Sequence, residues 1–209
     1  MKTFTRTLIL IVKEVRPRQW IKNLSLFTAI LFSGDLFETD KVLKVFYAFI
    51  IFCALSSFTY IINDIHDKKE DEKHPYKKNR PIASGDLSIS LSIIIALIIL
   101  FFSLGWASLL SEYFFTLSIG YILLTLSYSF LFKNIAIIES MLVAMGFVLR
   151  VMAGSLIINT PISSWLTICT ISLALLISFG RRKAEITLMG FVRASKHRPV
   201  LKKYPKKFL

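Results

Sequence analysis

Three aspartates recur at short intervals in one polar stretch of the sequence, residues 63–85. Asp64, Asp67 and Asp71 are spaced so that a helix would bring them within about 60° of one another, and Asn63 would widen that face to about 100°. Oxygen ligands of this kind suit Mg²⁺, which usually takes one or two carboxylates and completes its octahedron with water and substrate phosphate oxygens. The spacing therefore predicts a Mg²⁺ site formed by Asn63, Asp64, Asp67 and Asp71.

Basic residues follow these acids within the same stretch. Pro75 should end the helix, and Lys77 and Arg80 then lie in a loop that can fold back on the carboxylates. Acids that hold a metal, next to bases that bind phosphate oxygens, are what binding of a Mg-diphosphate requires. The alternative is a solvated run of mutual salt bridges, which is less favoured because such runs seldom align an amide and three carboxylates on one arc.

Long apolar segments must position this stretch. The 209 residues are 55% hydrophobic, with a mean hydropathy of +0.63, and much of that content lies in unbroken runs. Crossing a membrane takes about 20 helical residues. The sequence therefore predicts an all-α, polytopic transmembrane bundle of six helices. These cover residues 42–62, 87–110, 113–132, 135–158 and 162–179, with a shorter first span at 24–34 that is extended by Trp20 and Ile21.

The distribution of positive charge predicts the orientation. Nearly all of the 26 lysines and arginines precede residue 24, lie between residues 62 and 87, or follow residue 179. By the positive-inside rule, both termini and the acidic stretch face the cytoplasm, and the protein resides in the cell (inner) membrane. Residues 1–19 are interpreted as an interfacial segment and residues 181–209 as a basic cytoplasmic tail of a single membrane domain.

The net charge of +13 favours phosphate substrates and lipid headgroups over nucleic acid, because it is confined to one side of the membrane. The two cysteines fall within predicted spans without metal-ligand spacing, so neither a disulfide nor a zinc site is indicated.

Several polar residues lie at or inside the predicted membrane boundary, where charge is costly. Lys22 and Asn23 enter the first span, and Arg150 lies in an apolar run where insertion costs about 2.5–3.5 kcal/mol. Arg150 therefore needs an anion, a water-filled cavity or a structural ion pair. Glu139 should share its helix face without touching it. Lys22 and Asn23 are therefore candidates for a polar pocket, and residues 128–134 form a further polar cluster at the predicted cytoplasmic face.

These motifs resemble the UbiA prenyltransferase superfamily, with the pattern NDxxDxxxD from Asn63 followed by HPxKxxRPIASG from His74. More narrowly, the chain resembles the branch of decaprenyl-phosphate phosphoribosyltransferases. That likeness rests on RPxQWxKN from Arg16, Tyr128-Ser129 with Lys133, GFxxR from Gly146 and RRKAE from Arg181.

The resemblance implies transfer of 5-phosphoribose from phosphoribosyl diphosphate to a polyprenyl phosphate, with Mg²⁺ as cofactor. Asn63, Asp64, Asp67 and Asp71 would hold Mg-diphosphate, and the three aspartates would serve catalysis. Lys77 and Arg80 would bind donor phosphates, while Lys22, Tyr128, Lys133 and Arg150 would line the polar cavity. Arg181 and Arg182 would suit an anionic lipid acceptor better than a second metal would.

The family fold has nine transmembrane helices, so a chain with six is expected to be C-terminally truncated. The family pattern also has an aspartate where this chain has Glu139. Other readings remain open. One is a UbiA-type prenyltransferase that uses a prenyl diphosphate and an aromatic or other acceptor. Another is a non-catalytic membrane protein, such as a cation transporter, or an inactive fragment.

Overall fold

A computed structural model describes residues 2–189 of the chain, and all its regular structure is helical. The predicted all-α class is thereby confirmed. The part of the predicted basic tail from residue 190 onward lies outside the described residues. The α-helices, in chain order, are α1 (Lys2–Val15), α2 (Thr28–Ser33), α3 (Thr39–His66), α4 (Lys68–Asp71), α5 (Ile89–Leu110), α6 (Glu112–Ser127), α7 (Ile138–Ile157) and α8 (Ser164–Met189).

Within residues 2–189, five helical segments are long and apolar enough to cross a membrane. They are α3, α5, α6 together with the turn that follows it, α7 and α8, and they coincide with five of the six predicted spans. The helix α6 continues into a π-helical turn, Tyr128–Phe132, in which the Lys133 amide donates to the Tyr128 carbonyl at 2.9 Å. This turn carries Tyr128 and Lys133, two of the predicted pocket residues.

The first predicted span is helical but mostly not an α-helix. An unusually long 3₁₀ segment, Pro17–Phe27, leads into the short helix α2. A 3₁₀ helix rises about 2.0 Å per residue, so these two elements together extend roughly 30 Å, close to the thickness of the apolar slab. The 3₁₀ geometry thus lets a short apolar stretch reach as far as a longer α-helix would.

The N-terminal helix α1 lies against the polar loop between α4 and α5. Arg6 pairs with Asp86 at 2.7 Å, and the Lys13 ammonium donates to the Asn79 carbonyl at 3.0 Å. Arg16 then adopts a left-handed conformation (φ 56°), and Pro17 begins the 3₁₀ segment, a position that its fixed φ angle suits. The reversal at Arg16 directs the end of α1 toward the polar end of α3.

The helix α3 runs through the centre of the bundle and packs against α1, α5, α6 and α7. Its Phe52 ring lies 5.1 Å from the Tyr121 ring and 5.7 Å from the Phe114 ring, measured between centroids. On the other side, α7 meets the 3₁₀ segment so closely that a Cβ on Gly154 would lie 1.9 Å from the Leu26 carbonyl oxygen. Only glycine permits this approach.

The acidic stretch does not continue as one helix, which corrects the sequence prediction. The helix α3 ends at His66, Asp67 has non-helical backbone angles (φ −86°, ψ 4°), and α4 begins at Lys68. Carboxylates near a helix C-terminus oppose the macrodipole, which favours ending α3 before all three aspartates are included. The side chains of Asp64 and Asp71 therefore belong to two consecutive helices.

Candidate functional site

Asp64 and Asp71 meet through one arginine at the polar end of α3. The same nitrogen of Arg80, Nη1, contacts Asp64 Oδ1 at 3.0 Å and also contacts Asp71 Oδ2. Arg16 pairs with Asp64 Oδ2, and Lys77 lies 3.5 Å from Asp71 Oδ1. Both carboxylates are buried, so these charge-assisted contacts offset the cost of removing them from water.

These residues border a cavity of about 340 Å³, which we call the mixed-charge cavity. It is lined by Lys13, Glu14, Arg16, Asp64, Tyr76, Lys77, Asn79, Arg80 and Pro81. The predicted donor residues Lys77 and Arg80 therefore stand beside Asp64 in one space. The loop after α4 brings them there, because the Arg80 amide donates to the Lys77 carbonyl at 2.9 Å and folds the segment back on α3.

Asp67 is directed to a different partner. Its Oδ1 lies 2.5 Å from the Lys133 ammonium, which comes from the turn after α6. Asn63 lies beside Asp64, with Nδ2 and Oδ1 3.5 Å apart. The four predicted metal ligands thus divide into the Asp64–Asp71 pair, Asn63 next to it, and an outlying Asp67 held by Lys133.

Glu14, a residue that the sequence interpretation did not single out, also reaches the mixed-charge cavity. It lies near the end of α1, and its side chain is only 2% exposed. Burial, and then the neighbouring Asp64 carboxylate, raise the pKa of Glu14 to about 8, although Arg16 and Arg80 act in the opposite direction. The available signal was that Glu14 is the single acid among the first 34 residues.

A second space, which we call the basic cavity, opens between α3, α6, α7 and α8. It has a volume of about 270 Å³, and five basic side chains line it, namely Arg16, Lys22, Arg150, Arg181 and Arg182. Among the described residues that line it, none is an aspartate or glutamate. Tyr60, Asn63 and Tyr128 add polar groups. Such a lining favours an anion with several oxygens.

Arg150 is anchored at the inner end of this cavity by neutral oxygens. Its guanidinium donates to Asn23 Oδ1 at 2.8 Å, to the Gly146 carbonyl at 2.8 Å and to the Tyr121 hydroxyl at 2.7 Å. Of the alternatives that the sequence left open for Arg150, the described residues provide a cavity and neutral acceptors. Its positive charge is held in place and remains available to a ligand.

Glu139 contacts the other end of the basic cavity rather than Arg150. Its Oε1 lies 3.5 Å from Arg182 Nε, and Ser178 donates to Ser140 at 3.0 Å one residue further along α7. Both contacts join α7 to α8. The prediction that Glu139 and Arg150 do not touch agrees with this geometry.

Of the predicted pocket residues, Lys22, Tyr128, Arg150, Arg181 and Arg182 line the basic cavity. Lys133 does not, because it is held by Asp67. Arg16 lines both cavities, and Tyr60 lies between Arg16 and Lys22, with its ring centroid 5.3 Å from the Arg16 guanidinium carbon and 5.8 Å from the Lys22 nitrogen. Motif reading emphasised charged residues and therefore missed Tyr60 and Tyr121.

The donor set is chemically suited to Mg²⁺, although within residues 2–189 no three His, Cys, Asp or Glu side chains converge as a ready metal cage. Mg²⁺ needs only one or two carboxylates when water and phosphate complete its shell. The oxygens of Asp64 and Asp71 that contact one guanidinium nitrogen meet that requirement. A preformed cage is therefore unnecessary.

A family model described as "UbiA prenyltransferase family" matches residues 24–180. The chain is 35% identical to the decaprenyl-phosphate phosphoribosyltransferase of Corynebacterium glutamicum, over 85% of this chain and 54% of the relative. It is 34% identical to the enzyme of the same name from Mycolicibacterium smegmatis, over 95% and 64% of the two chains. The chain therefore spans about 54–64% of the length of these relatives.

Solved structures share this fold. A UbiA homologue from Archaeoglobus fulgidus, bound to DMAPP and Mg²⁺, matches with a TM-score of 0.73 and 19% identity, covering 91% of this chain and 67% of the homologue. A structure of digeranylgeranylglyceryl phosphate synthase matches with a TM-score of 0.74 and 18% identity, covering 100% and 71%. At these identities the likeness concerns the helical architecture.

Proposed function

The chain belongs to the UbiA prenyltransferase family, and we propose that it is a membrane transferase that moves 5-phosphoribose from phosphoribosyl diphosphate to a polyprenyl phosphate such as decaprenyl phosphate. The observation that carries this proposal is the pairing of two adjacent cavities with different charge. One contains carboxylates beside bases, as a metal-bound diphosphate donor requires, and the other contains bases alone among its charged lining residues, as an anionic acceptor requires.

On the donor side, Asp64 and Asp71 would be the central ligands for Mg²⁺, with Asn63 adjacent and Asp67 held apart by Lys133. Bound Mg²⁺ would neutralise the charge of the diphosphate and make it a better leaving group. Arg80, Lys77 and Arg16 already contact the two central carboxylates and can transfer those contacts to phosphate oxygens. The chain thus exchanges internal ion pairs for contacts with the donor.

On the acceptor side, Lys22, Arg150, Arg181 and Arg182 would bind the lipid phosphate, and Tyr128 would add a hydroxyl contact. The Arg150 guanidinium is oriented by Asn23 and Tyr121, so little side-chain freedom is lost when the anion binds. Arg16, which lines both cavities, would stand between the bound acceptor and the donor.

The reaction balances without another co-reactant. An oxygen of the acceptor phosphate forms a bond to ribose C1 while the bond from C1 to the diphosphate oxygen breaks. The electron pair of that bond leaves with the diphosphate, where Arg80, Lys77 and Arg16 stabilise the developing charge. Orientation of the two anions and electrostatic stabilisation supply the catalysis.

We place the protein in the cell (inner) membrane with both cavities on the cytoplasmic side. Support comes from the concentration of lysine and arginine before residue 24 and between residues 62 and 87, at the same end of the bundle as Asp64. A soluble phosphorylated donor and a membrane-anchored acceptor could then meet at the membrane boundary.

The alternative is prenyl transfer from a prenyl diphosphate, as the ligand of the Archaeoglobus homologue suggests. Membranes that contain the chain should be incubated with Mg²⁺, decaprenyl phosphate and phosphoribosyl diphosphate labelled in the ribose. We expect label in the extracted lipid and none when Mg²⁺ is chelated. Label that enters lipid only from a labelled prenyl diphosphate would overturn the phosphoribosyl assignment.

A further inference from the structure

Burying the carboxyl group of Glu14 costs folding free energy that its protein contacts do not offset. It is the penultimate residue of α1, where a carboxylate opposes the helix macrodipole. It is also buried, with an exposed fraction of only 2%. Within residues 2–189, no base donates a hydrogen bond to Oε1 or Oε2, and the neighbouring carboxyl group is that of Asp64. A buried carboxyl without a basic partner destabilises the fold unless a ligand supplies a positive charge.

The surroundings of Glu14 show where that ligand would enter. On one side lie mostly apolar residues, including Ile61 of α3 and Ile95 of α5, together with Ser92, whose hydroxyl donates to the Ser88 carbonyl at 2.9 Å. On the other side lies the mixed-charge cavity, whose wall also contains Asp64. The carboxyl therefore faces a space that already contains one of the proposed metal ligands.

The nearby bases are committed to other acids. Arg16 pairs with Asp64, Arg80 bridges Asp64 and Asp71, and Lys77 lies 3.5 Å from Asp71. Glu14 is left beside a second carboxylate, and two adjacent buried carboxyls are stabilised by sharing a cation. A hard divalent ion suits oxygen ligands of this kind.

We propose that Glu14 is a ligand of the divalent cation that binds with the donor diphosphate, and that it shares this cation with Asp64. This inference rests on the proposed donor site, but it does not depend on which group the diphosphate carries. When diphosphate binds, Arg16 and Arg80 move their contacts to its oxygens, and Asp64 becomes available to the cation together with Glu14. Glu14 would then join Asp64 and Asp71 as a carboxylate ligand, and phosphate oxygens and water would supply the remaining ligands.

The test is a binding measurement on the full chain in detergent or nanodiscs. Mn²⁺ replaces Mg²⁺ as a spectroscopic probe, inorganic pyrophosphate replaces the donor, and bound Mn²⁺ is measured by electron paramagnetic resonance. Glu14→Gln removes the charge at nearly constant volume. Glu112→Gln is the matched control, because Glu112 is exposed at the start of α6, at the end of that helix away from Tyr128.

Loss of a metal ligand should weaken Mn²⁺ binding at least as much as loss of a second-shell partner, which costs about 10–100-fold. We therefore expect at least a tenfold loss in Glu14→Gln and no change in Glu112→Gln. Asp64→Asn should weaken binding too, and the Glu14→Gln/Asp64→Asn double variant should lose less than the two effects combined, because both residues bind one ion. Glu14→Asp, which keeps the charge, should retain weakened but measurable binding.

Mn²⁺ affinity that is unchanged in Glu14→Gln would overturn the proposal. So would an equal loss of pyrophosphate affinity measured without metal, since Glu14 would then act on the anion-binding bases and not on the cation. If Glu14→Gln does not fold, Glu14→Asp is the deciding variant. Aspartate is one methylene shorter, so a ligand at this position should bind Mn²⁺ more weakly, and wild-type Mn²⁺ affinity in Glu14→Asp would overturn the proposal. A wild-type chain that binds no Mn²⁺ with pyrophosphate would overturn the proposed donor site as well.

Discussion

The mixed-charge cavity and the basic cavity are neighbours, but their charged lining residues are balanced differently. In the mixed-charge cavity, Asp64 and Asp71 are already matched by Arg16, Arg80 and Lys77. In the basic cavity, Arg150 is held by neutral oxygens and keeps its charge for a ligand. The first arrangement suits a ligand that brings both a cation and an anion, and the second suits an anion alone. Charge complementarity thus favours a different class of ligand in each cavity.

Asp64→Asn should have the largest effect, because it removes the carboxylate on which Arg16 and Arg80 converge. Loss of metal-assisted stabilisation of the leaving group is worth several kcal/mol, so we expect transfer to fall at least about 1,000-fold. Lipid labelling measures this loss. Asp35→Asn is the matched control, since Asp35 pairs with Lys41 at 3.0 Å near the other end of α3. Similar losses in both variants would indicate general destabilisation.

Arg150→Lys should separate the two cavities. A lysine keeps the charge but lacks the planar fork that contacts Asn23, Gly146 and Tyr121, and such a change is expected to cost about 2 kcal/mol, or roughly 30-fold in transfer. The KM for the lipid phosphate should rise while affinity for Mg-pyrophosphate stays at the wild-type value. Equal weakening of both ligands would contradict the division of roles.

Glu139→Gln should have a smaller effect on the same cavity. Glu139 contacts Arg182 but does not itself line the basic cavity. It would therefore position the Arg182 guanidinium without touching substrate. We expect about a fivefold increase in the KM for the acceptor, the size of a modest ion-pair loss, with little change in kcat. Glu139→Asp preserves the charge and should recover part of this loss. A fall in kcat at constant KM would assign Glu139 a different role.

Lys133→Gln should have the smallest effect. Unlike the other substitutions, it should strengthen the apparent affinity for Mg²⁺. Removing the ammonium that lies 2.5 Å from Asp67 frees that carboxylate, so the Mg²⁺ concentration for half-maximal transfer should fall about twofold. If Lys133 instead contacts substrate, as its motif position suggested, the KM for a substrate would rise and the Mg²⁺ requirement would stay constant. Titrating Mg²⁺ at saturating donor distinguishes these outcomes.

The sequence revealed the helical class and most spans because continuous apolar runs leave few other folds possible. It also predicted that Lys77 and Arg80 could fold back on Asp64 and Asp71, and the structure brings these four residues together because their spacing within one stretch is local. The contacts of Glu139 with Arg182 and of Lys133 with Asp67 depend on how separate helices pack, which a single sequence does not reveal. Glu14 was missed because an acid among basic residues on an amphipathic helix looks like part of a solvated face.

The position of Arg16, which lines both cavities, has a thermodynamic consequence. An anion that draws this guanidinium toward one cavity changes the positive potential in the other, so the free energies of binding for the two ligands are coupled. Linkage requires the coupling to be reciprocal, and the donor must change acceptor affinity by the same factor by which the acceptor changes donor affinity. The left-handed turn at Arg16 thereby places one side chain where it contributes to the binding free energy of both ligands.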